Sequence, residues 1–296
     1  MRSFEAGFAD HIATGATTLA TCWRIARKDG AVLGFTDHDE VLTFDGTEFL
    51  PAHGLDGGET SGKLGPQVDT AEVAGIIHSE ALTEDDILMG RYDGATVEIF
   101  RVNWGDVAER ALLSRDTIGE ITREDGRFRA ELRSGQQKLN VAKGRLYQAL
   151  CDAELGDVRC GIDIENPAYK AEASVAEVHD RFRLKLNGLD GFAEGWFAFG
   201  KASWTSGKRV GLADRVTAHA RIGGTDILTF AEPVGDWVLA GDTLTAYAGC
   251  DRRFSTCKAR FANAANFRGF PHIPGSDFIL RYPGNDDVMQ GRALVK

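Results

Sequence analysis

Residues 181–186, RFRLKL, alternate Arg181, Arg183 and Lys185 with Phe182, Leu184 and Leu186, and the run breaks at Asn187-Gly188. A β-strand sends successive side chains to opposite faces, so this alternation predicts a strand with one face in a core and one in water. Asn-Gly is a hairpin signal. FRAELR (128–133) repeats the pattern with Phe128, Ala130 and Leu132 on one face. Further strand candidates are TCWRIAR, VLGFTD, ATVEIFRVNW, LLSRDTIGEITRE, EASVAEVH, GWFAFGKASW, RVTAHARI, DILTF and DTLTAYAG. With 35 glycines as punctuation, the chain reads as mainly β, an α+β protein with a few short helices.

Three stretches carry helical signals. FEAGFADHIAT near the start is one; LTEDDILMG, with Thr83 ahead of acidic residues, is a capped second. QQKLNVAKGRLYQALC is the third, interrupted by Gly144. HGLDGGETSGKLGP (53–66) reads as a glycine-rich loop between strands. The first run of strands ends near residue 140. The expected organisation is therefore two β-rich domains, 1–140 and 141–296, the second carrying a four-cysteine cluster site.

Composition narrows the function classes. A net charge of −10 argues against a chain whose main task is binding nucleic acid or an anionic membrane. No run approaches the ~18 apolar residues of a transmembrane helix, and the N-terminus lacks the apolar core of a secretory signal. The expectation is synthesis in a reducing bacterial cytoplasm, where spaced cysteines are more often metal ligands or catalytic groups than disulfides.

Of the five cysteines, Cys151 and Cys160 form one pair, Cys250 and Cys257 a second, and Cys22 stands apart. A β-module whose ends meet would bring the pairs together, and four thiolates form a soft ligand set for zinc or an iron–sulfur cluster. Both spacers are wider than the tight knuckles of structural zinc, which suits a bulkier cluster. Buried structural thiols and a disulfide remain open on spacing alone. Arg159, Arg252, Arg253, Lys258 and Arg260 lie close in sequence and could donate to an anionic cluster. Asn263 and Asn266 can bind irregular backbone, and Phe261, Phe267 and Phe270 can shield a cluster from water. Pro271 and Pro274 are expected to hold PHIP extended, with His272 as a packing or surface residue.

Other polar clusters have plainer readings. Asp37, His38, Asp39 and Glu40, followed by Asp45, look like a hairpin corner whose carboxylates cap turn amides. His11, His53 and His78 make no i, i+4 pair, and no P-loop, nucleophile elbow or dinucleotide fingerprint is present. No catalytic residue is assigned.

The string GDTLTAYAGCDRRFSTCKARFANAANFRGFPHIPG resembles the signature of the tail-tip and baseplate hub proteins of long-tailed phages and gene transfer agents, which include the lambda tail-tip protein L family. CWRIARKDGAVLGFTDHDEVLTFDG, LTEDDILMGRYDGATVEIFRVNW and GRLYQALCDAELGDVRCGIDI resemble the gene-transfer-agent type. The resemblance implies a structural hub in a virion or gene-transfer-agent tail, forming a homotrimeric ring that adapts the tail tube to the tip. It implies contacts with the distal tail protein and other baseplate subunits, without sequence-specific nucleic-acid binding. It also implies a [4Fe-4S] cluster on Cys151, Cys160, Cys250 and Cys257, with Arg252, Arg253, Lys258, Asn263, Asn266 and Phe267 around it. Cys22 has no place in that pattern and reads as a strand cysteine. The last twenty residues read as a tail that docks on a partner. The competing readings are an iron–sulfur redox enzyme or nuclease, and a zinc-stabilised binding module.

Overall fold

The structure, a computed structural model, describes residues 4, 6–52, 56–57, 70–76, 83–124, 127–135 and 144–273. The chain divides into two compact units, Met1–Ala142 and Lys143–Lys296.

The first unit opens with α1 (Ala6–Ala13), which buries Phe8. Nine strands follow: β1 (Leu19–Ala26), β2 (Val32–Thr36), β3 (Leu42–Phe44), β4 (Thr47–Pro51), β5 (Asp56–Gly57), β6 (Thr70–Ile76), β7 (Thr96–Asn103), β8 (Arg110–Glu124) and β9 (Arg127–Ser134). They form one sheet in the order β3-β4-β2-β1-β7-β8-β9-β6-β5, antiparallel except for the β2–β4 pair. The short α2 (Glu84–Leu88) precedes β7, and the Thr83 hydroxyl accepts the Asp86 amide at 3.2 Å. That bond satisfies one of the amides a helix start leaves open.

Alternation sorts the residues of β1 and β7 into two cores. Ala20 and Cys22 on β1, with Phe100 and Val102 on β7, pack with Leu42, Phe44 and Phe49. Trp23, Val97 and Ile99 face the other way and join Phe35, Ile118, Ala130 and Leu132. Both faces of β7 are thus covered, and six of its eight residues are buried, Glu98 and Asn103 among them. Arg24 and Arg115 close on the buried Glu98, each through Nε at 2.6 Å.

The second unit carries a six-stranded closed barrel. Its strands are β10 (Lys170–Val178), β11 (Arg183–Asn187), β12 (Lys201–Trp204), β13 (Ala213–Ile222), β14 (Thr225–Phe230) and β15 (Thr243–Tyr247), closed in the order β10-β11-β14-β13-β12-β15. Closure removes the unpaired edges that open sheets must protect. The interior is filled by Leu184, Leu186, Phe197, Trp204, Val216, Leu228, Phe230 and Leu244 among others. A fully buried leucine of this kind contributes about 2 kcal/mol through its removal from water. Gly223 and Gly224, both with positive φ, make the two-residue turn between β13 and β14. After β15 the chain forms α3 (Phe254–Phe261).

The mainly β class and the two short helices at 6–13 and 84–88 agree with the sequence, while four local expectations need correction. Residues 144–150 are not helical, and residues 136–143 of that expected helix lie outside the described residues. The backbone of 148–151 bonds to distant chain instead: the Gln148 carbonyl accepts from Phe270 and the Cys151 amide donates to Arg252. Asn187-Gly188 is no hairpin: β11 pairs with β10 and β14, and the next strand begins only at Lys201; Gly188, at φ +96°, lies where a Cβ would meet the Glu172 carbonyl at 2.6 Å. GWFAFG (195–200) is a turn region, with strand only from Lys201. Residues 270–273 form a turn closed by Ile273 N–H to the Phe270 carbonyl, so this part of PHIP is not extended; Pro274 lies outside the described residues. Most of the 53–66 loop and the tail from 274 onward also lie outside them. No helix of the described residues is long and apolar enough to cross a membrane.

Candidate metal centre

The second unit gathers the four paired cysteines around one pocket. Cys151, Cys160, Cys250 and Cys257 all line it, with Ala153, Leu155, Phe261 and Phe267 as apolar wall and Arg252, Asn263 and Asn266 as polar wall. It holds about 340 Å3 of space free of protein atoms, opening included. All five cysteines of the chain are free thiols, so no disulfide joins the pairs. Among the described residues, no three His, Cys, Asp or Glu side chains converge closely enough to hold a single metal ion.

Each cysteine is placed by local chemistry. Cys160 ends a turn built on Asp157, whose carboxylate accepts the amides of Glu154 at 3.1 Å and Cys160 at 2.6 Å. Gly161, in the left-handed region at φ +70°, then turns the chain away. Cys151 is held by its own amide on the Arg252 carbonyl at 2.8 Å. Its segment is clasped by Asp152, which accepts from Arg145 Nε at 2.8 Å and pairs with Arg159 at 3.2 Å. Arg145 also donates to the Arg268 carbonyl at 2.6 Å. Cys250 follows Gly249, which packs so tightly that a Cβ would lie 1.7 Å from the Ala198 carbonyl oxygen.

Cys257 sits on the inner face of α3. Phe254, Cys257 and Phe261 recur at helical spacing, with Cys257 and Phe261 buried and Lys258 and Arg260 in the last turn, where cations favour the helix dipole. The helix stops at Ala262, a left-handed residue at φ 49°. The sequence reading missed this helix, although the spacing of those three residues was the available signal.

Three of the four sulfurs accept an N–H. The Arg252 amide lies 3.4 Å from Cys250 Sγ, the Arg268 amide 3.4 Å from Cys151 Sγ, and Asn263 Nδ2 3.6 Å from Cys160 Sγ. Burial pushes the Cys257 thiol up to about 11, and the nearby sulfurs of Cys250, Cys151 and Cys160 add to the shift. Burial likewise raises Cys250; the Arg252 amide opposes it, while Asp251, Cys151 and Cys160 reinforce it. Thiolates around one pocket repel one another, and a cationic centre between them would offset that repulsion.

The expected surrounding residues divide. Arg252, Asn263, Asn266 and Phe267 line the pocket. Arg253 and Lys258 do not: Arg253 has a side chain 72% exposed and Lys258 is exposed on α3. Arg260 is turned to Trp196, its guanidinium 5.0 Å from the ring centre. Phe261 and Phe267 cover the site, whereas Phe270 packs on Tyr147 at 4.5 Å and is partly exposed. His272 is exposed and meets the edge of Phe254. The Arg268 amide is a donor the sequence reading did not include.

Cys22 lies in the first unit, fully buried, and burial raises its thiol to about 11, against the Thr36 hydrogen bond that lowers it. The 37–40 stretch is a bend: Asp37 accepts the Thr21 amide at 2.7 Å and His38 stacks on Trp104. Asp45 pairs with Arg110 at 2.7 Å, and His11 accepts the Thr18 amide. His53 and His78 lie outside the described residues.

A nine-stranded sheet unit and a second unit with a closed barrel define a β-rich protein whose four paired cysteines line one pocket. Residues 5–163 match the family described as "Baseplate hub protein, N-terminal attachment domain", more than half of the chain, including Cys151 and Cys160. Residues 195–277, with Cys250 and Cys257, match "Phage conserved hypothetical protein BR0599". A solved chain from "Virion of native gene transfer agent (GTA) particle" is 41% identical, with a TM-score of 0.89, covering 98% of this chain and 99% of that one. No curated protein matches. The chain belongs to the baseplate hub proteins.

Proposed function

We propose that this chain is a structural hub at the tail baseplate of a phage-like or gene-transfer-agent particle, adapting the tail tube to the tip. The observation that carries this reading is the 41% identity to a chain of a gene-transfer-agent virion over nearly the full length of both. In the particle the hub forms a homotrimeric ring and contacts the distal tail protein and other baseplate subunits. Its task is structural and no reaction is assigned to it.

In this reading Cys151, Cys160, Cys250 and Cys257 hold a [4Fe-4S] cluster that acts as a staple. Bound to the folded state, it ties segments about ninety residues apart in sequence, and its binding energy becomes folding energy. Three things support the cluster: four soft donors around one pocket, N–H groups aimed at three sulfurs, and an apolar cover of Leu155, Phe261 and Phe267. Spacers wider than the tight knuckles of structural zinc favour an extended cluster over one zinc ion.

Two experiments test the reading. Electron cryo-microscopy of the particle should find three copies of the chain at the tail tip; another location overturns the hub assignment, and another copy number the ring. Protein purified without oxygen should be brown, with about four iron and four sulfide per chain. A colourless preparation with stoichiometric zinc overturns the cluster and leaves the hub.

A further inference from the structure

Asn263 bonds to both cysteine pairs. Its amide donates to the Cys257 carbonyl at 3.1 Å, and its carbonyl accepts the Cys257 thiol at 3.3 Å. Its side chain crosses to the other pair: Nδ2 donates to the Cys160 carbonyl at 2.7 Å and reaches Cys160 Sγ at 3.6 Å. Two neighbours fix this pose. Ala262, left-handed at φ 49°, swings the chain off α3 so that Asn263 turns back over the pocket. Asn266 Nδ2 donates to Asn263 Oδ1 at 2.8 Å, which occupies the oxygen side of the amide and leaves its N–H side for Cys160.

The other two N–H donors to sulfur are main-chain amides, of Arg252 and Arg268, which every residue but proline provides. Among the described residues, only Asn263 gives a side-chain N–H to a cage sulfur. We infer that Asn263 is the positioning residue of the cage: it holds Cys160 against Cys257 and supplies the one N–H···S bond that depends on residue identity. This rests on the cluster reading above. Loading a cluster would take the Cys257 thiol proton and with it the bond to the Asn263 carbonyl, whereas the two bonds that Asn263 Nδ2 donates to Cys160 need no thiol proton. N–H donors to ligand sulfur favour the electron-rich, reduced cluster and so raise its potential.

The test uses the full chain purified without oxygen, in wild-type form and as Asn263→Leu and Asn266→Leu. Leucine is close to asparagine in shape, lacks the N–H and adds no charge to the pocket. Leucine at 266 removes the donor to Asn263 Oδ1, so the Asn263 amide is no longer held with its N–H side toward Cys160. Two quantities are read: iron release to a ferrous chelator, and the midpoint potential for one-electron reduction by dithionite. Asn263→Leu should release iron roughly tenfold faster, the worth of one charge-assisted hydrogen bond, and show a lower potential, and Asn266→Leu should move both quantities in the same direction. A packing role for Asn263 would leave the potentials of both variants at the wild-type value. Brown wild-type protein with both quantities unchanged in Asn266→Leu overturns the inference alone, even if Asn263→Leu fails to load. Colourless wild-type protein overturns the cluster reading and this inference with it.

Discussion

Cys151 and Arg252 are joined through their main chains: the Cys151 amide donates to the Arg252 carbonyl at 2.8 Å, and the Arg252 amide donates to Cys250 Sγ at 3.4 Å. One residue thus spans the two cysteine pairs with its own backbone. It does so in the left-handed region, at φ 62°, where a side chain is unfavourable. The exposed arginine side chain is incidental to that role; the conformation is what the cage needs.

Arg252→Gly should therefore load the cluster as well as wild type and gain up to about 1 kcal/mol from relief at the left-handed position. Arg252→Pro should fail, because proline has no N–H for Cys250 and its ring fixes φ near −65°. Iron content and thermal melting of the two variants check this. A glycine variant that loses iron would mean that the guanidinium, not the backbone, serves the site.

Gly249 links the barrel to the cage. Its amide donates to the Trp196 carbonyl at 2.9 Å, and a Cβ would lie 1.7 Å from the Ala198 oxygen and 2.6 Å from the Gly200 nitrogen. Both obstacles are backbone and cannot rotate aside. Gly249→Ala should cost about 3 kcal/mol, the upper end for overpacking. Gly191→Ala, with open space around it, should change stability by less than about 0.5 kcal/mol. Denaturant unfolding of the two variants measures the difference.

In the first unit, Glu98 gives a pH dependence of known sign. Burial opposes its ionisation, but the hydrogen bonds and charges of Arg24 and Arg115 outweigh burial and hold its carboxyl below the usual value of 4.5. A lowered folded pKa means that the unfolded chain takes up the proton first. The stabilisation is complete above about pH 4.5 and is lost as pH falls through the depressed folded value. Unfolding between pH 6 and 3 should show this loss in wild type and a shallower slope in Glu98→Gln. Equal slopes would place the acid sensitivity elsewhere.

How much of this was legible in the sequence depended on which forces decide each feature. The barrel strands were readable because Leu184 and Leu186, or Leu228 and Phe230, must alternate with polar residues to fill a closed interior. The strands β3 and β4 were not picked out, being three and five residues long, although Asp45-Gly46 between them takes positive φ at both positions and makes the hairpin. The helix expected at 136–151 rested on composition, and over 148–151 the backbone found partners in residues 252 and 270 that no local pattern reveals. The cysteines that line the pocket were legible as residues. Their hydrogen-bond donors were only partly so: charge counting named Arg253 and Lys258, but direction decides, and the Arg268 amide reaches Cys151 through tertiary placement alone.

The cysteine set itself gives the last prediction. On the cluster reading proposed above, Cys160→Ser or Cys250→Ser should remove most of the iron and destabilise the second unit, because each thiolate would complete the same coordination shell. Serine is close in size to cysteine but a poor soft-metal ligand, so lost packing is a small part of the change. Cys22→Ser acts by another route. It puts a hydroxyl into the apolar cluster of Phe44, Phe49 and Phe100 in the first unit, with Thr36 as a partner for it. It should leave iron content unchanged and cost about 1 kcal/mol or less. Four ligands of one cluster would act as one network, so the double variant Cys160→Ser/Cys250→Ser should be little worse than either single one, far from the sum. Thermal melts with iron measured alongside decide it. Additive losses from Cys160 and Cys250, or iron lost from Cys22→Ser and retained in Cys160→Ser, would overturn the ligand assignment.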